Sequence, residues 1–443
     1  MSRRLLLLKK RLCTAILIWR QYGASTLFRF VLFKVGLNRS FRPPWEGTEP
    51  DAEGHYSARQ IVQSRFGLSA PLRVYSIPPS NPARVSMITD SINSGSLFGG
   101  VGTAMILAAL LAEARQARLR IMTRTERARP ENLDHVLGLY GICLQHEVEF
   151  AYAPFYDYAY DIDVFPDELF ITTSWWTTAA ATASLPADSI VYLLQEDERT
   201  FYPLGDDRLR CDWVLGRGDI RYVINTRLLY DHLLTSGLGH LAEKGSWFEP
   251  AFPRQVFHPR SKPEGSKRRL LFYARPNNLR NLFYFGIEVL DYALLHGVID
   301  QDEWDVLLVG KDIPEIAFCT GYVPERFQNL PWADYADLVG TADVGFTLMS
   351  SVHPSYPPLD LAASGAVVVT NRWGAKQDLA CYSRNILCGD LQLDDMIATL
   401  ADGVRLAVNE AEREQNYHSS PLGSSWREAL AGVVADLAEV RCR

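Results

Sequence analysis

Residues 351–371, SVHPSYPPLDLAASGAVVVTN, decide the fold. The apolar segment 359–364 reads as a short helix, and Gly365 sits where a helix end takes up the left-handed conformation. Val367, Val368 and Val369 form a continuous β-branched run, which suits a strand covered on both faces. A helix running straight into such a strand is the repeating step of a parallel α/β sheet. Asp360 is the anomaly. A carboxylate at the mouth of an otherwise apolar helix needs a partner, and spacing alone leaves a helix cap and a ligand contact equally open.

The same alternation extends in both directions. Strands are expected at 84–89, 119–123, 148–152, 168–176, 189–195 and 220–226, with helices at 103–117 and 131–140. A second block offers strands at 268–274, 304–310, 315–323, 343–349 and 366–371, with a helix at 277–297 and two more in 391–440. Between the blocks, 247–267 holds four prolines and reads as a linker. The fold class expected is α/β with two doubly wound Rossmann-like domains facing across a cleft. The boundaries are a leader over 1–45, an N-terminal acceptor-side domain over 80–250, a C-terminal nucleotide-sugar domain over 265–405 and terminal helices over 406–443.

A length of 443 residues fits two domains, and 47% hydrophobic with 22% charged residues fits chains that bury real cores. Seven scattered cysteines without a C-x-x-C pair read as reduced thiols, not as a zinc site or disulfide framework. Charge is uneven. Residues 1–42 carry ten Lys/Arg and no acid, leaving 35 basic against 52 acidic side chains in the remainder. An acidic body argues against a nucleic-acid groove. The leader's longest apolar run, 12–19, is too short to span a bilayer, which takes about 20 residues. Lys9, Lys10 and Arg11 interrupt it as a signal peptide. Leu5, Leu8, Leu12, Ile16 and Trp19 share a helical stripe, so an interfacial helix on the inner face of the cell membrane is the reading.

Ligands of doubly wound sheets bind at the carboxyl ends of strands. Arg275 follows strand 268–274 and Lys311 follows strand 304–310. Two cations on neighbouring strand tips, close to helix N-termini, suit a diphosphate. In this setting the ligand reading of Asp360 is acceptance of the two adjacent hydroxyls of a ribose, with the helix-cap reading still level with it.

PLDLAASGAVVVTN (358–371) resembles the helix-to-strand segment of retaining, family-four-like GT-B glycosyltransferases, and Asp360 falls on the glutamate that holds the donor ribose. Arg275 and Lys311 match that group's diphosphate-binding pair, and TGYV (320–323) matches the strand end whose backbone reads the base, which brings in Tyr322 and Val323. YLLQEDERTFYPLG (192–205), FYARPNNLRNLFYFG (272–286) and SSVHPSYPPLDLAASGAVVVTNRWGAKQDL (350–379) together resemble the WsaF-like rhamnosyltransferases of surface-glycan assembly. The larger group has a second glutamate eight residues before the ribose-binding one; here Val352 stands there, flanked by Ser351, His353 and Ser355. FGGVG (98–102) resembles the glycine loop that closes on the donor diphosphate, which adds Gly99 and Gly100.

The donor set implied by the resemblance is Gly99, Gly100, Arg275, Lys311, Tyr322, Val323, Ser355, Tyr356 and Asp360. Trp175, Trp176 and Gln195 sit at expected strand ends as acceptor contacts, aromatic faces packing on a sugar ring; core packing accounts equally for one of the tryptophans. Glu196, Asp197 and His353 are the catalytic candidates, the two acids for acceptor binding or proton removal and the histidine at the donor. The reaction expected is rhamnosyl transfer from dTDP-L-rhamnose to a hydroxyl of a growing cell-surface glycan. No cofactor or metal is expected, since no D-x-D stands at the relevant strand ends. Another nucleotide sugar, an epimerase of the same fold and a non-catalytic glycan-binding protein are the alternatives. The expected location is cytoplasmic and peripheral on the membrane.

Overall fold

The computed structural model describes residues 56–79, 81–93, 99–155 and 160–440, together with 27, 28 and 31. The amphipathic leader and the first part of the glycine loop lie outside the described residues. The strands are β1 (Val74–Ser76), β2 (Arg84–Thr89), β3 (Arg118–Thr123), β4 (Glu149–Tyr152), β5 (Ile162–Val164), β6 (Leu169–Thr172), β7 (Ile190–Leu194), β8 (Arg221–Asn225) and β9 (Gly245–Phe248). Then follow β10 (Arg268–Ala274), β11 (Trp304–Gly310), β12 (Glu325–Gln328), β13 (Val344–Phe346), β14 (Val367–Asn371) and β15 (Ile386–Gly389).

Two large sheets result. One runs β4-β3-β2-β6-β7-β8-β9, with β4 through β7 paired in parallel; the other runs β12-β11-β10-β13-β14-β15, parallel throughout. β1 and β5 form a small separate pair. In both large sheets the strand order reverses away from the first strand of the block, the doubly wound arrangement. The chain divides into two compact units, 1–194 with 209–223 and 434–443, and 195–208 with 224–433. Residues 195–208 therefore belong with the C-terminal unit, although the sequence places them in the first block.

In the first unit, helix Gly100–Ala114 is buried along Gly102–Ala112, as expected of a helix apolar all round. The same unit carries a buried ionic cluster. Arg84 and Arg120, both about 2% exposed, pair with the fully buried Glu168, with Asp163 and Glu149 at its margin.

The second unit's core stacks Phe272 of β10 on Phe346 of β13, with ring centroids 5.3 Å apart, beneath helix Phe283–Leu295. Gly286 in that helix allows the close approach, because a Cβ there would meet the Phe272 ring at 2.3 Å.

Several expected elements change. Residues 315–323 are a turn, not a strand: Ile316 and Phe318 pack into the core, and Gly321 at φ +83° reverses the chain. The strand is the polar edge β12 that follows. The expected strand 168–176 ends at Thr172, because Ser174 caps a helix starting at Trp175. The proline-rich linker is packed, with Phe252 and Phe257 buried, and the tail holds three helices, Leu393–Val408, Glu410–His418 and Trp426–Ala438. No helix among the described residues is long and apolar enough to cross a membrane.

Candidate active site

The six-stranded sheet sets the register of its own carboxyl edge. Ala274 pairs with Gly310 across β10 and β11, and the Lys311 amide donates to the Ala274 carbonyl at 3.2 Å. Arg275 and Lys311 thus leave adjacent strands at the same level. Gly310 makes this turn possible, since a Cβ there would fall 1.9 Å from the Ala274 oxygen. Lys311 is exposed and Arg275 half-buried, and neither side chain has an ion-pair partner among the described residues.

Next along the edge, the loop after β13 is fastened residue by residue. The Met349 amide donates to Asn371 Oδ1 at 2.7 Å, while Asn371 Nδ2 and the buried Lys376 Nζ donate to the Met349 carbonyl at 3.1 and 3.2 Å. Burial pushes the Lys376 ammonium down to about 8. The Ser350 amide donates to the Arg280 carbonyl. Ser351 Oγ donates to both oxygens of Glu196 at 2.6 Å, and Arg280 Nη1 meets Glu196 Oε2 at 2.9 Å. Burial raises Glu196 above the usual carboxylate range, with Arg280 opposing; burial lowers Arg280, and its guanidinium lies over the Phe201 ring. Sequence reasoning missed Arg280 and Lys376. It also placed Glu196 on the acceptor side, whereas the chain brings it into the C-terminal unit.

His353 is buried. Its Nδ1 accepts from the Ser355 amide at 2.9 Å, and burial with the nearby Lys376 and Arg280 cations pushes the ring down to about 3. Ser355, at φ +73°, precedes helix Tyr356–Ala363, and Tyr356 Oη accepts from Asn225 Nδ2 at 2.9 Å.

Asp360 stands in the second turn of this helix, which begins three residues earlier than its apolar segment predicts. That removes the helix-cap alternative and most of the dipole stabilisation, which fades beyond the first turn. Asp360 is buried, its carboxyl accepts from Tyr335 Oη at 3.3 Å, and burial raises it to about 8.

Other candidates are placed differently. Asp197 is committed elsewhere: its two oxygens meet Arg199 Nε and Nη2 at 2.7 and 2.8 Å, it caps helix Glu198–Phe201, and His232 Nε2 lies 3.3 Å away. Those partners outweigh burial and hold it far below the usual range, so it is an ion-pairing cap and a poor base. Tyr322 and Val323 precede β12 and lie at the sheet's amino edge; Tyr322 Oη accepts from the Val306 amide at 2.8 Å. The strand-tip reading of both is corrected. Gln195 is reached by Asn225 Nδ2 at 3.4 Å.

In the first unit, Trp175 is core, about 4% exposed, which excludes it as an acceptor platform. Trp176 is half-buried and donates Nε1 to both oxygens of Asp90 at 2.9 Å. Gly99, at φ +95°, precedes helix Gly100–Ala114, so Gly99 and Gly100 start a helix at the carboxyl end of β2.

Comparison with known proteins now bears on these two sheets. The WsaF N-terminal domain description matches residues 84–212 and the WsaF C-terminal domain description matches 268–401, together more than half the chain. This chain belongs to the WsaF family, and its two doubly wound sheets have the GT-B fold. The O-antigen biosynthesis protein RfbC of Myxococcus xanthus is 31% identical over 246 residues, which is 54% of this chain and 19% of that protein. Solved structures share the fold: Anabaena Alr3699/HepE, in complex with UDP and glucose, at TM-score 0.55 and 9% identity over 80% of this chain and 99% of its own. WaaG, a glycosyltransferase involved in lipopolysaccharide biosynthesis, gives TM-score 0.53 at 13% identity over 80% of this chain and all of its own. The WsaF-family boundaries fall on the two sheet-forming blocks, with Arg275, Lys311, His353 and Asp360 inside the C-terminal match.

Proposed function

We propose that this WsaF-family chain transfers a rhamnosyl unit from dTDP-L-rhamnose to a hydroxyl of a growing cell-surface glycan. The observation that carries the nucleotide-sugar part is the pair of cations, Arg275 and Lys311, at one level of one sheet edge and without an ion-pair partner among the described residues. Departure of the nucleoside diphosphate leaves negative charge on its oxygens as an oxocarbenium-like centre forms. Arg275 and Lys311 stabilise that charge more in the transition state than in the ground state. In this reading the cations take the place a metal fills elsewhere, so no cofactor is required. Asp360 gives up its proton to accept the ribose hydroxyls, and Trp176, its indole held by Asp90, offers a face to the acceptor sugar. The RfbC relative supports a role in polysaccharide assembly. The basic leader supports a peripheral position on the inner face of the cell membrane, in the cytoplasm.

The donor base is open to one specific competitor, because the Anabaena neighbour holds UDP. Incubation with dTDP-rhamnose, UDP-glucose and UDP-galactose, with and without a lipid-linked glycan, tests the assignment by nucleotide release. Acceptor-dependent release from dTDP-rhamnose is the expected result. Release from a UDP-sugar alone reassigns the donor, and conversion of the sugar without acceptor makes the protein an epimerase.

A further inference from the structure

The rim of the six-stranded sheet contains a buried donor with no partner. His353 is about 4% exposed, and its Nε2 finds no hydrogen-bond partner among the described residues. Its other nitrogen is fixed. Nδ1 accepts the Ser355 amide, so it carries no proton, and a neutral ring must hold its proton on Nε2. Ser355 itself sits at φ +73°, a conformation a serine rarely takes, and such strain gathers at functional positions.

Further bonds hold the histidine from behind. Glu196 binds Ser351 Oγ, and the same oxygen accepts the His353 amide at 3.0 Å. Glu196 is committed to this network: its carboxyl receives the one Ser351 hydroxyl proton, the Asp197 amide at Oε1 and Arg280 Nη1 at Oε2. The charged groups acting on His353 are Lys376 and Arg280, both of which oppose a second proton on the ring. A buried N–H without a partner is costly, and it persists where a ligand completes it.

We propose that His353, held as its Nε2–H tautomer by Ser355 and by the Glu196–Ser351 bond, donates a hydrogen bond to an oxygen of the bound nucleotide sugar, with Glu196 as a positioning residue. This rests on the nucleotide-sugar reading above. The acceptor oxygen belongs either to the transferred sugar or to the diphosphate, and one substitution separates them. His353→Asn keeps an acceptor for the Ser355 amide and removes the Nε2 donor; His353→Gln places an amide N–H near the lost one.

Binding of dTDP and dTDP-rhamnose to the full chain is measured by calorimetry. H353N is expected to weaken dTDP-rhamnose about tenfold, the size of a lost hydrogen bond, and H353Q to recover part of it. A loss confined to dTDP-rhamnose assigns the sugar oxygen, and an equal loss for dTDP assigns the diphosphate. Unchanged affinity for both overturns the proposal. The imidazole ¹⁵N spectrum of the free protein is the independent readout. It is expected to show Nε2 protonated and Nδ1 bare from pH 5 to 8, and Ser351→Ala or Glu196→Ala to disturb that signature. A ring that titrates near 6.5, or carries its proton on Nδ1, refutes the positioning arrangement whatever the ligand result. Wild-type protein that binds neither nucleotide refutes the functional reading and the ligand contact, while the spectrum still judges the tautomer.

Discussion

The Tyr335 hydroxyl donates to Asp360 Oδ2 over 3.3 Å, and no cation among the described residues offsets the burial of that carboxyl. The result is an acid that titrates near 8 in the folded protein against about 3.9 in an unfolded chain. A raised folded value means the folded state holds a proton the unfolded state has lost. The stabilisation is complete below pH 4 and falls away as pH rises toward 8. Asp360→Asn is therefore expected to flatten stability between pH 5 and 8 and to raise Tm at pH 8. Each unit of the shift corresponds to about 1.4 kcal/mol. Thermal melts across that range check it; a mutant that loses stability at pH 8 contradicts the buried-acid account.

In the proposed ribose-binding role, Asp360 also links pH to ligand binding. A carboxylate that accepts two ribose hydroxyls must be ionised, so nucleotide binding is expected to release a proton below pH 8. Calorimetry in two buffers of different ionisation enthalpy measures that proton. Tyr335→Phe removes the one hydrogen bond favouring the ionised form, so it is expected to increase proton release at pH 8 and to weaken binding severalfold. Equal heats in both buffers speak against ionised Asp360 as the ribose acceptor.

The strand tips were legible in the sequence because their logic is local. An apolar run ending in a cation, RRLLFYARP or WDVLLVGKD, fixes both the strand and the exit of its last residue. The polar loop after β13 was not legible, since Glu196 meets Arg280 across 84 residues and Ser351 across 155. No periodicity reports such distances. The turn at 315–323 misled for a different reason: Ile316 and Phe318 are apolar because they plug the core, while the true strand β12 is an edge and therefore polar. Asp360 was recognised, but its helix starts at Tyr356, and two prolines in the first turn hid that start.

Under the proposed diphosphate assignment Arg275 and Lys311 act on one anion from adjacent strands, so their removal should not be additive. Alanine at either position is expected to lower kcat/KM by 10²-fold or more, about 2.7 kcal/mol of transition-state stabilisation, with little change in Tm. The double variant should lose less than the product of the two. Activity in either single variant equal to wild type refutes the diphosphate assignment.

Asp197 and Arg199 make the opposite prediction, on stability. Asp197→Ala strips Arg199 of both Asp197 carboxylate contacts and uncaps helix Glu198–Phe201, leaving a buried guanidinium without that charge partner. Breaking a buried pair in this way costs about 3–5 kcal/mol. Because its partners depress Asp197, the wild-type contribution is present above pH 4 and fades only in stronger acid. Denaturant melts at pH 7 are expected to show the full loss. The segment 195–208 also carries Glu196, so a D197A variant that stays folded is expected to lose turnover through the displaced Ser351 contact. Replacing both residues, Asp197→Leu with Arg199→Met, separates the two effects. Stability should recover part of the way because no charge is left unpaired, and turnover should follow only if Glu196 returns to Ser351.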